Sequence, residues 1–137
     1  MSQNTDRTLQ LIGLARKAGL IAVGGEAVSA AARKGKARLV LSASDSSEGS
    51  SRRARMNAEA AGVTYIMVPF TKFELGSITG RGSPGTVAIL DSGLAAGFVQ
   101  RLAEKEPDRY AEAAQRLTKE AQSLAEKKKQ TPRRTAQ

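Results

Sequence analysis

Three short apolar runs constrain the fold most: RLVLSA at 38–43, VTYIMV at 63–68 and TVAIL at 86–90. Each is apolar on both faces of an extended chain, and a strand of that kind is stable only where helices cover both sides of its sheet. A shorter apolar stretch at 20–23 reads as one more strand. The intervening segments have helical spacing and helical stop signals, so strand and helix alternate. The expected product is an α/β protein, a three-layer α/β/α sandwich around a small mixed sheet, with an extra C-terminal helix.

The helix boundaries follow from capping chemistry. Asn4 or Thr5 can cap a first helix that runs to about Ala18 and stops at Gly19. A second helix over 25–34 ends at Gly35, and its Ala30, Ala31 and Ala32 permit close approach to a sheet. A third spans about 50–61 and closes at Gly62. Thr71 and Glu74 have the spacing of a capping box, which announces a short helix as far as Ile78. Asp91 or Ser92 can cap the next, with Leu94, Phe98 and Leu102 on one side. Pro107 suits the first position of a last helix whose Tyr110, Ala113, Ala114, Leu117, Ala121 and Leu124 form a narrow stripe. The stripe fits either packing on its own domain or docking a partner or second copy. The chain thus divides into a domain at 1–105, an additional helix at 106–126 and a disordered basic tail at 127–137.

The chain has no cysteine and no histidine. That removes thiolate zinc sites, disulfides and most routes to nucleophilic or general-base catalysis near neutral pH. Nothing marks a cofactor, and no enzymatic activity is expected. The first ten residues lack an apolar core with a basic lead, and no run approaches the length needed to span a bilayer, which points to the cytoplasm and away from a membrane. A net charge of +9 with a pI near 10.4 favours a polyanionic partner, nucleic acid before membrane. Residues 101–137 hold ten Lys or Arg and six Asp or Glu, so +5 of the charge belongs to residues 1–100 and the basicity is not a tail effect.

One stretch at 23–45, VGGEAVSAAARKGKARLVLSASD, joins a glycine turn, a helix start and a basic cluster. The N–H groups of Gly25, Glu26 and Ala27 have no partner inside the helix, and the helix dipole adds positive charge there. Gly24 and Gly25 remove the Cβ atoms that would hold a phosphate or a base edge away. Arg33, Lys34, Lys36 and Arg38 then place positive charge on the same edge of the domain. An ordinary glycine-opened helix with solvated cations is the alternative.

GRGSPG at 80–85 matches the GxGxxG dinucleotide pattern in letters only. It follows a helix and leads into a strand, the reverse of the order that fingerprint requires, and Pro84 lies inside it. It reads as a loop. Arg52, Arg53 and Arg55 open the third helix, where the dipole disfavours cations; they are either a solvated face or phosphate ligands.

LIGLARKAGLIAVGGEAV, RKGKARLVLSASDSS, VPFTKFELG and TVAILDSGLA, in that order, resemble the bacterial YlxQ group of the kink-turn-binding ribosomal proteins typified by archaeal L-seven-Ae. The resemblance covers about residues 9–102. It implies a sandwich that grips sharply bent RNA, with the start of the second helix entering the major groove at tandem sheared G·A pairs. Gly24, Gly25 and Glu26 would then approach those pairs, and Arg33, Lys34, Lys36 and Arg38 would face phosphates. Gly80, Arg81, Gly82 and Ser83 would lie at a nucleotide flipped out of the bend, with Asp45 beside the same edge. The chain departs from the archaeal pattern at Glu26, which stands in place of asparagine and accepts but cannot donate, and at Ala27 and Ala30, which supply no polar contact.

The functional expectation is a monomeric, cytoplasmic RNA-binding protein of ribosomal type that recognises kinked or internally looped RNA. The rival is a ribosome-associated protein-interaction module that uses the C-terminal helix. Truncation after Pro107 is expected to separate them, with RNA binding surviving.

Overall fold

The structure is a computed structural model that describes residues 7–130, with side chains to residue 127. The expected cap at Asn4 or Thr5 and residues 131–137 of the expected tail lie outside it. In chain order the elements are α1 (Arg7–Lys17), β1 (Ile21–Val23), α2 (Gly25–Arg33), β2 (Leu39–Ser42), α3 (Glu48–Ala61), β3 (Thr64–Met67), α4 (Lys72–Thr79), β4 (Thr86–Ile89), α5 (Ser92–Lys105) and α6 (Pro107–Gln130).

The four strands form one mixed sheet in the order β1-β4-β2-β3. β2 and β3 are parallel, and β4 runs antiparallel to both of its neighbours. β1, β2 and β3 therefore point the same way. The register sets Leu39 between Ile89 and Thr64, and Ser42 between Thr86 and Met67.

Alternation along each strand divides the core into two layers. Leu39, Leu41, Ile66, Val87 and Ile89 face α1, α4, α5 and α6, where Ile12, Leu75, Phe98 and Leu117 meet them. Val40 and Ala88 face the other way, onto Val28 and Ala31 of α2 and Ala54 and Ala58 of α3. The second layer is built mostly of alanine, which lets α2 and α3 approach the sheet closely. Capping fixes where the helices begin. Ser47 Oγ accepts from Ser50 N–H at 3.1 Å, Asp91 Oδ2 accepts from Leu94 N–H at 2.9 Å, and Thr71 and Glu74 form the complete reciprocal box.

α6 is part of the fold. Tyr110, Ala114 and Leu117 are buried in the larger core, and Gln100 Nε2 donates to Thr118 Oγ1 at 2.8 Å to tie α5 to α6. The Tyr110 hydroxyl donates to the carbonyl of Met67 at 2.7 Å, satisfying a backbone group on edge strand β3. The stripe on this helix is thus taken up by its own domain. Cutting the chain after Pro107 would open the core, so that truncation does not separate the two functional readings. α6 also runs to Gln130, so residues 127–130, expected in the disordered tail, are helical. Lysines are good helix formers, and their charge complements the negative end of the helix dipole.

Burial raises the pKa of the Tyr110 phenol, with the nearby Arg109 opposing the shift and Glu106 adding to it. A raised phenol pKa means that the unfolded chain ionises first as pH climbs past about 10. The stability that this group contributes is complete below that pH and falls by up to about 1.4 kcal/mol per unit until the folded-state pKa is reached. Tyr110→Phe should be less stable than wild type by about 1 kcal/mol at pH 7. The gap should narrow above pH 10, as measured by urea unfolding of both proteins at pH 7 to 11.

Candidate nucleic-acid interface

Because β1, β2 and β3 are co-directional and β4 opposes them, one end of the sheet gathers the starts of α2, α3 and α4 together with the loop that enters β4. Backbone bonds stitch this rim together, strand by strand. Gly24 N–H donates to the Thr86 carbonyl at 3.0 Å, Ala43 N–H to Gly85 at 2.8 Å, and Ser44 N–H to Phe70 at 2.8 Å. Asp45 Oδ1 accepts from Lys72 N–H at 2.8 Å, fastening the β2–α3 loop to the first turn of α4. Asp45 is therefore a structural fastener as well as a rim residue.

The three helix starts differ in one respect. α3 and α4 have side-chain caps, whereas Gly24, the N-cap of α2, makes no side-chain cap bond. Gly24 sits at φ 94, a conformation that favours glycine. Gly25 and Glu26 are exposed, and a Cβ at Gly25 would meet nothing. The donors at this helix end face solvent, with Glu26 in the first turn the nearest charge.

The loop at 80–85 reaches the same rim by resting on α4. A Cβ at Gly76 would overlap the Gly82 carbonyl oxygen, so only glycine at 76 lets the loop pack back onto the helix. Gly80 ends α4 in the left-handed region, and the Arg16 guanidinium lies against it, close enough that a Cβ there would stand 2.7 Å from Nη2. At the other end of the loop, Gly85 nestles beside Ser46 and Ser50. Gly80, Arg81, Gly82 and Ser83 are exposed.

Not all of the expected residues share this rim. Arg33 ends α2, and Arg38 N–H donates to the Ile89 carbonyl, which is the opposite end of the sheet. Arg33, Lys34, Lys36 and Arg38 are thus set off from Gly25 by the length of a nine-residue helix, about 13 Å. The expectation of one shared edge fails because closeness in sequence across a helix is not closeness in space. Arg33 Nη1 donates to Ser29 Oγ at 3.0 Å, and none of the four pairs with a carboxylate among the described residues. Arg38 is half-buried and lines a crevice with Ser92 and Leu124. On α3, Arg55 lies 3.9 Å from Glu59, while Arg52 and Arg53 are exposed.

The fold brings Lys72 to the rim and sets Arg16 against Gly80 at the far end of α4, and the sequence did not single them out. Arg16 is 64 positions from Gly80 in the chain, and only the packing of α1 against α4 joins them. Lys72 carried a local signal, because it is the first residue after the Thr71 cap.

Gly76→Ala should push the loop off α4 at a cost of about 1 to 3 kcal/mol. Amide hydrogen exchange should quicken in residues 80–85 and leave β2 and β4 protected.

No protein-family model matches the chain. Solved structures similar to it include the following two. A Bacillus halodurans protein of unknown function superposes with a TM-score of 0.63 at 22% identity, covering 69% of this chain and 94% of that one. The Giardia lamblia 15.5kD RNA binding protein superposes with a TM-score of 0.57 at 19% identity, covering 74% of this chain and 92% of that one. At these identities the likeness establishes a shared α/β fold.

Proposed function

We propose that the protein is a non-enzymatic RNA-binding protein of the kink-turn ribosomal type, similar to the YlxQ group, acting as a cytoplasmic monomer beside or within the ribosome. The observation that carries this reading is the uncapped, exposed start of α2 on the same rim as the loop at 80–85. A helix end with free N–H donors and no side chains in front of it suits acceptor-rich base edges or phosphate. Regular A-form RNA keeps its major groove too narrow to read, so such an end meets base edges only where the RNA is distorted. The RNA-binding Giardia protein of the same fold supports RNA as the ligand class.

Gly24, Gly25 and Glu26 approach the bases in this reading. Gly80, Arg81, Gly82 and Ser83 meet the unpaired side of the bend, with Asp45 holding the rim between them. Arg33, Lys34, Lys36 and Arg38 engage phosphates farther along the bound strand. Residues 1–105 form the RNA-binding unit, and α6 braces it. The rival protein-docking reading has lost its surface, since α5 and β3 cover the α6 stripe and only its end at Leu124 is 37% exposed.

An internal-loop RNA with sheared G·A pairs should outcompete an uninterrupted duplex of equal length. Equal competition would remove the proposal. Gly25→Val should keep the fold, because the added side chain points into open space, and should weaken RNA binding about tenfold or more. Binding should weaken linearly in log salt, and Lys34→Ala should reduce that slope by about 1 if Lys34 meets a phosphate. A slope unaltered in Lys34→Ala would place this lysine outside the interface.

A further inference from the structure

We propose that Phe73 is a stacking platform for an unpaired base of the bound RNA, an inference that rests on the RNA-binding reading above. The chain has three phenylalanines; Phe70 and Phe98 are buried in the core, whereas Phe73 is 77% exposed. Phe73 therefore contributes little to the core, and its ring is offered to solvent on a rigid support. It is the second residue of α4, whose first turn is held by the Thr71–Glu74 box and by the bond from Lys72 N–H to Asp45.

The position of the ring ties it to the rim. Residues three apart on a helix are neighbours on one face, so Phe73 lies one turn from Gly76, on which Gly82 rests. Helical side chains lean toward the helix N-terminus, which for α4 is the rim itself. The loop that carries Arg81 and the ring of Phe73 thus share a face of α4. Lys72 stands beside the ring in sequence. Neither neighbouring carboxylate is idle: Glu74 Oε1 accepts from Thr71 N–H at 2.9 Å, and Asp45 Oδ1 accepts from Lys72 N–H. An exposed aromatic next to a lysine and an arginine loop is the combination that binds single-stranded nucleic acid, with the ring under a base and the cations on its phosphates. α4 starts at the end of the sheet that also carries the α2 start, so the ring faces the same end of the domain as that open helix start.

The test compares wild type, Phe73→Ala and Phe73→Trp on a synthetic internal-loop RNA whose one extrahelical nucleotide is either intact or abasic. Phe73→Ala should weaken binding of the intact RNA by about 5- to 100-fold, and Phe73→Trp should retain it. The abasic RNA should bind the wild type and Phe73→Ala within twofold of each other. Because the ring is exposed, both variants should melt with the wild type, which a thermal scan checks. Phe73→Ala binding intact RNA within twofold of wild type overturns the inference while leaving the RNA-binding reading in place. An equal loss on intact and abasic RNA also overturns it, since the ring would then act other than by stacking on that base. Failure of wild type to bind either RNA removes the underlying reading, and the inference falls with it.

Discussion

The antiparallel insertion of β4 between β1 and β2 is the constraint on which the candidate interface depends. Three co-directional strands alone would place three helix starts at one end of the sheet, since each of α2, α3 and α4 follows a strand of that set. β4 adds what a purely parallel sheet lacks there: a loop that arrives at the same end, because an opposing strand must begin where its neighbours finish. The backbone bonds from Gly24 to Thr86 and from Ala43 to Gly85 then lock the α2 start and the arriving loop to the same strand. Neither can shift without breaking the pairing that holds the core together.

Rigidity at this rim comes from small residues and short bonds, not from bulk. Gly76 lets the loop lie on α4 where any side chain would hold it away, and Gly85 does the same beside Ser46 and Ser50, with contacts of 3.2 and 3.3 Å for a Cβ placed there. α3 and α4 each use a side chain to satisfy an N–H of the first turn, which the α2 start does not. The α2 start is left open by the same economy of side chains that fits α2 tightly over alanine-rich packing. Packing and ligand access are therefore two results of one composition in the 24–32 segment.

The layers, the strand positions and the starts of α4 and α5 were legible because each had a local cause. Apolar runs on both faces required a covered sheet, and the Thr71–Glu74 spacing and Asp91 announced caps that are present. What was not legible needed the third dimension. The basic cluster at 33–38 looked adjacent to Gly25 because only seven residues intervene before Arg33, yet a helix turns those residues into a straight separation. Asp45 offered no sign that its carboxylate would be committed 27 positions away, to Lys72. The last helix was ambiguous since a narrow apolar stripe has the same pattern whether its own core or a partner covers it. Tyr110, reaching Met67 across 43 residues, decides that ambiguity in favour of its own core.

The separation of the cations from the open helix start bears on how affinity and selectivity divide in the proposed reading. At the rim the groups that face a ligand are mainly backbone donors, with Glu26 opposing close approach of a phosphate and Lys72 and Arg81 on the α4 side. Backbone donors are weak as long-range attractors but demanding in geometry. About 13 Å away, four cations without carboxylate partners among the described residues act through charge, which attracts any phosphate chain and falls off with salt. A straight duplex can satisfy the cations without entering the rim, and thus gains only the unselective part. RNA bent enough to reach both ends of α2 gains both parts at once. Selectivity then arises from the distance between two sites that would each be undistinguished alone.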